Sequence, residues 1–208
     1  MSKLHFEFLN KNQKKTLDVL KNFSDYGILG GGTALTLQFS HRYSYDLDIF
    51  VPKLISKRFL YKVKRYFKKI EIITDTGDEF SFVSLPYKVK ISFIYYPFFP
   101  LYQTISTPYL KIFSWKDIAL DKAHTIGRRG EWRDYVDLYF AVQKGFLLKN
   151  IISGAQKKFT DSFSEKLFLS QLTYWRDLKD FTINFIKKKY SQKEIEKFFQ
   201  NQIKTIKL

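Results

Sequence analysis

Residues 30–50 read GGGTALTLQFSHRYSYDLDIF, and the fold turns on them. Three glycines, Gly30 to Gly32, close a short strand-like run that starts at Tyr26. A helix-like segment, Thr33 to Ser40, follows, and then the alternating run Asp46 to Val51. Side chains on a strand alternate faces, so Asp46 and Asp48 point one way and Leu47 and Ile49 the other. Two close carboxylates repel unless a cation lies between them. Mg²⁺ (or Mn²⁺) suits such a pair, because a hard ion takes oxygen ligands and leaves positions open for phosphate. A turn without side chains lets backbone N–H groups come close to a phosphate, and the helix N-terminus behind it adds positive potential. Thr33 can donate a hydroxyl hydrogen bond there, and Arg42 and Ser44, just before the acidic strand, can reach the same phosphates. A glycine turn alone is usually only a turn, and D-x-D alone is usually a solvated face. The combination of strand, glycine turn, helix and D-x-D strand is more specific. It is neither a P-loop nor a dinucleotide fingerprint, since the lysine of the first and the third glycine of the second are missing.

Outward from this stretch, Leu17, Leu20 and Phe23 recur at helical spacing, with Gly27 as a stop. Ser56 can cap a helix running to Lys69, with Phe59, Leu60, Val63, Phe67 and Ile70 on one side. Strand-like runs at 71–75, 80–85 and 88–95, separated by short loops with Gly77 and Pro86, predict a meander. A last short strand is expected at 109–113. Ser114, three residues before Asp117, reads as a capping box. Helices are then expected at 115–128, 131–144, 147–158, 164–175, 178–190 and 192–203. The expected class is α+β: a small mixed sheet flanked by helices over residues 1–113, then a helical bundle over 114–208.

A second cluster lies in Trp115 to Phe140, WKDIALDKAHTIGRRGEWRDYVDLYF. Lys122 sits mid-helix among Ile118, Ala119, Ala123 and Ile126, an unusual neighbourhood for a lysine, from which its ammonium can reach a phosphate as a point charge. Arg133 and Asp137 are at i, i+4, and Asp134 and Asp137 at i, i+3, so each pair shares a helix face. The residues alone also read as a structural network, with Arg133 paired to Asp137 and Lys122 snorkelling to solvent. His5, His41 and His124 are too few and too scattered for a zinc site. His41 is a candidate for lining the pocket, and His124 for facing a helix interface.

Gly31-Gly32-Thr33-Ala34-Leu35, followed by His41-Arg42-Tyr43-Ser44-Tyr45-Asp46-Leu47-Asp48-Ile49-Phe50, resembles the first motif of the AbiEii/AbiGii toxin family of nucleotidyltransferases. That family belongs to the DNA polymerase β-like nucleotidyltransferase superfamily, and the resemblance implies its fold. Asp121-Lys122-Ala123, and Arg129 through Arg133-Asp134 to Asp137-Leu138-Tyr139, are similar to its later motifs. The resemblance implies that Gly31, Gly32 and Thr33 hold the triphosphate of a nucleoside triphosphate. It also implies that Asp46 and Asp48 bind metal, that Lys122 and Asp137 complete the catalytic set, and that Arg133 supports it. Enzymes of the superfamily often carry a third carboxylate on a neighbouring strand, where this chain offers Ser92. Asp75, Asp78 and Glu79 are loop candidates for that role.

Lys and Arg number 36 against 20 Asp and Glu, a formal charge of +16 that favours an anionic partner, nucleic acid first. A codon bias toward lysine accounts for the same excess in part. Lys53 to Lys69 holds eight basic residues and no acid, with aromatics interleaved. As one helix it would turn an apolar stripe inward and a basic face outward, which reads as a phosphate track using Lys62, Lys64, Arg65 and Lys68, or as a solvated face. The absence of cysteine excludes thiolate catalysis, disulfides and Cys-bound zinc. With no apolar run long enough to span a bilayer and no signal-like N-terminus, the expectation is a soluble cytoplasmic protein without a membrane partner. The resemblance narrows the function to a toxin that transfers a nucleotide to RNA, the tRNA 3′ end, opposed by a cognate antitoxin. Transfer to a protein or small molecule, or a catalytically degenerate nucleic-acid-binding protein, are the alternatives.

Overall fold

The computed structural model describes residues 3–206. The chain divides into two compact units, one made of residues up to Phe98 together with Gln103–Ser114, the other of Phe99–Tyr102 together with the chain from Trp115 onward.

The first unit is built on a six-stranded sheet. Helix α1 (Lys11–Leu20) opens on a capping box, in which the Asn10 side chain accepts from the Gln13 N–H while the Gln13 side chain accepts from the Asn10 N–H. Strand β1 (Ile28–Gly30) runs into α2 (Gly31–Phe39), and β2 (Leu47–Val51) follows. Next come α3 (Lys57–Tyr66), β3 (Ile70–Asp75), β4 (Glu79–Ser84), β5 (Val89–Tyr95) and β6 (Lys111–Ile112). The sheet order is β3-β4-β5-β2-β1-β6. The meander β3-β4-β5 is antiparallel, as the short loops predicted, while β5–β2 and β1–β6 pair in parallel, which makes the sheet mixed.

Register sorts the side chains by face. Leu47 pairs with Ile91 and Ile49 with Phe93, while Asp48 pairs with Ser92. Phe82 and Phe80 pair with Ile91 and Phe93 across the other edge of β5. One face therefore carries Leu47, Ile49, Ile91, Phe93, Phe80 and Phe82, all fully buried. The rings of Phe59 on α3 and of Phe23 lie 4.8 Å and 5.4 Å from Phe93, and Phe67 lies 5.2 Å from Phe82. Helix α3 thus covers this apolar face. Asp48, Ser92 and Ser81 project from the opposite one.

The second unit is helical: α4 (Trp115–Arg129), α5 (Trp132–Gln143), α6 (Leu148–Phe159), α7 (Glu165–Thr173) and α8 (Gln192–Lys204). Helix α4 packs against α5, α6 and α7, and α8 against α5 and α7. No helix among the described residues is long and apolar enough to cross a membrane.

One sequence expectation changes here. Residues 178–190 form no helix. Their apolar positions alternate instead, with Phe181, Ile183 and Phe185 separated by exposed Thr182 and Asn184, a period of two that a helix cannot bury on one side. The segment is irregular and docks through its rings: Phe181 lies 5.6 Å from Trp132, and Tyr190 lies 5.2 Å from Tyr139 and 5.4 Å from Phe140. Asp117, in the first turn of α4, ties that helix start to the 99–102 segment. Its Oδ1 and Oδ2 accept the N–H groups of Leu101 and Tyr102, each at 2.9 Å.

Candidate active site

Gly31 has φ of +64°, and a Cβ placed on it would lie 2.6 Å from Asp48 Oδ2. Both facts require glycine, and together they set the first turn of α2 directly against the acidic strand. A Cβ on Gly32 would lie 2.6 Å from Arg42 Nη2 and 2.8 Å from Ser44 Oγ. The turn, the guanidinium, the hydroxyl and the carboxylate therefore converge, as the spacing in residues 30–50 led us to expect. Asp46 lies one residue before β2 rather than on it. Both carboxylates are half-exposed, whereas Leu47 and Ile49 are buried behind them.

The loop from Ser40 to Asp46 is held by hydrogen bonds that the motif does not advertise. Thr33 Oγ1 donates to the carbonyl of Asp46 through a short bond, and Thr33 is buried. Its hydroxyl proton thus fixes the chain at the first carboxylate, whereas the sequence reading gave it to a phosphate. Thr36 Oγ1 donates to the carbonyl of Arg42 at 2.9 Å. Gln13 Nε2 donates to the carbonyls of Ser44 and Tyr45 at 2.9 and 3.2 Å. Arg42 is buried and donates from Nη1 to the Tyr43 carbonyl at 3.1 Å. Gln13 and Thr36 were missed from the sequence. The available signal was a glutamine on the buried stripe of α1, in phase with Leu17 and Leu20.

Ser92 stands in register with Asp48 on one side and with Ser81 on the other. The position beside Asp48 is therefore a hydroxyl. Glu79 begins β4 rather than lying in a loop, and Ser81 Oγ donates to its carboxylate at 2.5 Å. Asp78 accepts from Thr76 Oγ1 in the exposed turn, and Asp75 ends β3 exposed. Among the described residues no group of three or more His, Cys, Asp or Glu side chains is placed to hold a metal ion. Asp46 and Asp48 supply an all-oxygen pair. That suits a hard ion which keeps waters and completes its shell with substrate phosphate, so the residues fit Mg²⁺ or Mn²⁺.

In the helical unit, Lys122 Nζ lies 2.6 Å from Asp134 Oδ1 and 3.0 Å from Asp137 Oδ2. Asp134 Oδ2 also accepts the Glu131 N–H at 3.0 Å, which caps α5. Arg133 is turned away from Asp137. It is 53 % exposed and pairs with Glu131 Oε2 at 2.6 Å, because the inward side of α5 at this turn is taken by Asp134 and Asp137. A second triad was missed from the sequence: Lys158 Nζ lies 3.1 Å from Asp117 Oδ1 and 2.8 Å from Asp121 Oδ1.

His41 is buried beside Phe39, with ring centroids 5.6 Å apart. His124 stacks on Phe159 at 4.2 Å, and its Nε2 lies 3.0 Å from the Ser162 carbonyl. Burial, and then the Arg128 charge, push the His124 pKa below its ordinary value.

The profile of the family described as "Nucleotidyl transferase AbiEii toxin, Type IV TA system" matches residues 17–207. The chain belongs to this family. It is therefore a nucleotidyltransferase of the AbiEii toxin class, with a nucleoside triphosphate as its substrate. An uncharacterised Aquifex aeolicus (strain VF5) protein, aq_aa25, is 29 % identical to it over 94 % of this chain and 98 % of its own length. Two solved structures share the fold. MenT4, described as a nucleotidyltransferase toxin from Mycobacterium tuberculosis H37Rv, superposes with a TM-score of 0.60 at 15 % identity, covering 92 % of this chain and 81 % of its own. A candidate nucleotidyltransferase from H. pylori gives a TM-score of 0.56 at 19 % identity, covering 93 % and 92 %.

Proposed function

We propose that this AbiEii-family chain transfers a nucleotide from a nucleoside triphosphate to the 3′ end of tRNA, with Asp46 and Asp48 holding Mg²⁺ or Mn²⁺. The observation that supports the reading is the close approach of Gly31 to Asp48, whose Oδ2 would lie 2.6 Å from a Cβ at that glycine. The N–H groups of the first turn of α2 have no intrahelical partners and are suited to phosphate oxygens. The γ- and β-phosphates of the substrate sit on that turn. Arg42 and Ser44 orient them from above Gly32. The acceptor hydroxyl oxygen forms the new bond to the α-phosphorus, the α–β bridging P–O bond breaks, pyrophosphate leaves with the electron pair, and the acceptor proton is released. A bound divalent ion would supply charge stabilisation to this displacement. On the family pattern Lys122 and Asp137 also take part in the transfer. A cognate antitoxin would oppose it in the cell.

Acceptor RNA has a basic surface available on α3. Phe59, Val63 and Phe67 face the sheet, and Arg58, Tyr61, Lys64, Arg65 and Lys68 are exposed. Lys62 is not part of the outward stripe, since its Nζ lies 4.1 Å from the Tyr26 ring centroid. Because α3 covers the sheet face opposite Asp48, its charge would serve RNA capture rather than contact at the reacting phosphorus.

The test is to incubate the protein with Mg²⁺, each labelled nucleoside triphosphate in turn and total tRNA. Label is expected in RNA. Asp46→Asn or Asp48→Asn should remove it with little change in melting temperature, since lost charge stabilisation of several kcal/mol slows transfer by roughly a thousandfold or more. Wild-type transfer by either folded variant would overturn the assignment. Absence of transfer with every triphosphate, alongside intact RNA binding, would instead favour a degenerate site, the reading Ser92 supports.

A further inference from the structure

The helical unit carries a cavity of about 720 Å³ that none of the candidate active-site residues lines. Ligand pockets of this size, roughly 300–1,000 Å³, hold molecules as large as one or two nucleotides. Its floor is aromatic. Phe146 is buried and sits edge-on to both Tyr102 and Trp115, with centroids 5.9 Å apart in each case and planes near 90°. Tyr102 and Trp115 are themselves only half-buried, so ring surface is left toward the opening. Lys116 Nζ stands over this floor, 5.3 Å from the Tyr102 centroid and 5.7 Å from that of Trp115. Lys144, at the end of α5, and Lys157, on α6, bring two more cations to the rim. No carboxylate is among the lining residues.

The α6 wall is polar and in phase. Asn150, Ser153 and Lys157 recur at i, i+3 and i+7, all exposed, while Ile151, Ile152 and Ala155 turn inward. The cavity thus offers a π surface, an amide with both a donor and an acceptor, a hydroxyl and three ammonium groups. Burial and the Asp117 charge hold the Tyr102 phenol protonated well into the alkaline range, so it adds no anion to this lining.

We propose that this cavity binds a nucleotide unit of single-stranded RNA, with a base stacked on Trp115 and Tyr102 and the flanking phosphates on Lys116, Lys144 and Lys157. Stacking platforms combined with cations are how unpaired nucleotides are held without duplex geometry. The Asn150 amide can meet a base edge, because it matches donor and acceptor positions at once. An acidic peptide would use the lysines but would leave the aromatic floor and the amide without partners. The inference rests on the reading that the acceptor is RNA, and it names a second place where that RNA is gripped.

The probe is short single-stranded oligo(rA), titrated without any nucleoside triphosphate. Trp132 and Trp175 are buried, so a Trp132→Phe/Trp175→Phe background leaves Trp115 as the single indole of the three in the chain. Saturable quenching of Trp115 is expected. In the otherwise unaltered protein, the anisotropy of labelled oligo(rA) gives the affinity without relying on that background. Lys116→Gln/Lys144→Gln/Lys157→Gln should weaken binding at least tenfold and flatten the slope of log K against log salt by about 2, at ~0.7 per phosphate on a single strand. The melting temperature of the triple variant should stay near wild type, since Lys144 and Lys157 are on the surface.

Adenosine monophosphate tests the source of the ligand. Weak competition supports an RNA strand, while saturation as tight as the oligomer means that a free nucleotide is the ligand and overturns the strand assignment. An unquenched Trp115 together with an unchanged slope in the triple variant overturns the pocket altogether. Failure of label transfer with quenching intact would count against the transferase reading and not against this site.

Discussion

Two lysines of the helical unit each face two aspartates, and the clusters differ in where water reaches them. The Lys158 side chain is 0 % exposed and divides its donors between Asp117 and Asp121, with the Asp117 carbonyl at 3.5 Å. The Lys122 side chain, between Asp134 and Asp137, is 11 % exposed. The first triad is closed at its lysine and at Asp117, and water reaches only Asp121, 15 % exposed. Asp117 also holds the backbone at Leu101 and Tyr102, so the cluster pins α4, α6 and the 99–102 segment together. The second opens to solvent at the lysine itself. One charge pattern can therefore bury its cation or leave it within reach of water, and composition alone does not separate the two.

The largest effect on stability should come from the closed triad. Lys158→Met leaves the fully buried Asp117 carboxylate, with Asp121 beside it, without their shared cation, a loss of about 3–5 kcal/mol. Urea unfolding should show it as a lower midpoint, while transfer per folded molecule stays at the wild-type level. An undiminished midpoint with lost transfer would reverse the roles assigned to the two lysines.

Lys122→Met should show the opposite balance. Asp134 keeps its bond from the Glu131 N–H and water reaches the lysine, so the stability cost falls at the low end of the range for a broken buried pair, about 3 kcal/mol. Label transfer to RNA, measured well below both unfolding midpoints, should fall far more than stability does. Full transfer by folded Lys122→Met would make this triad a second pin.

The contrast also shows what the sequence carries. Residues 30–50 disclosed their own geometry because the turn, the helix start and the strand are local, and β2 alternates cleanly between buried Leu47 and Ile49 and half-exposed Asp48. The antiparallel meander and the helical second half were legible for the same reason, whereas the parallel pairs that make the sheet mixed join segments far apart in the chain. Lys158 was not, because Lys157-Lys158 near a helix end looks like a solvated tail and its partners lie 37 and 41 residues away. Its phase did hold the signal, since Leu148, Ile151, Ile152, Ala155 and Phe159 define an inward stripe on which position 158 falls. Arg133 misled in the reverse sense. Spacing of i, i+4 allowed a pair with Asp137, but Lys122, from another helix, reached that carboxylate first. Residues 178–190 were read by their apolar content instead of their alternation.

The smallest effect is the most local, and it reads the charge of the closed triad directly. His124 lies between Phe159 and the Ser162 carbonyl. Burial lowers its pKa most, Arg128 and Lys158 lower it further, and Ser162 and Asp121 oppose them. A histidine depressed in the folded state is protonated first in the unfolded chain. Its contribution to stability is therefore whole above the ordinary value of 6.5 and is lost as pH falls through it toward the folded pKa. Removing the Lys158 charge withdraws one lowering influence and leaves Asp121 to attract the proton, so the His124 pKa should rise in Lys158→Met. Asp121→Asn should move it the other way. Titrating the ring protons by NMR, with His5 and His41 as internal references in the same sample, checks both. A His124 pKa that stays put in both variants would mean that the triad charge does not reach the ring, and the acid loss of stability would then follow from burial and Arg128 alone.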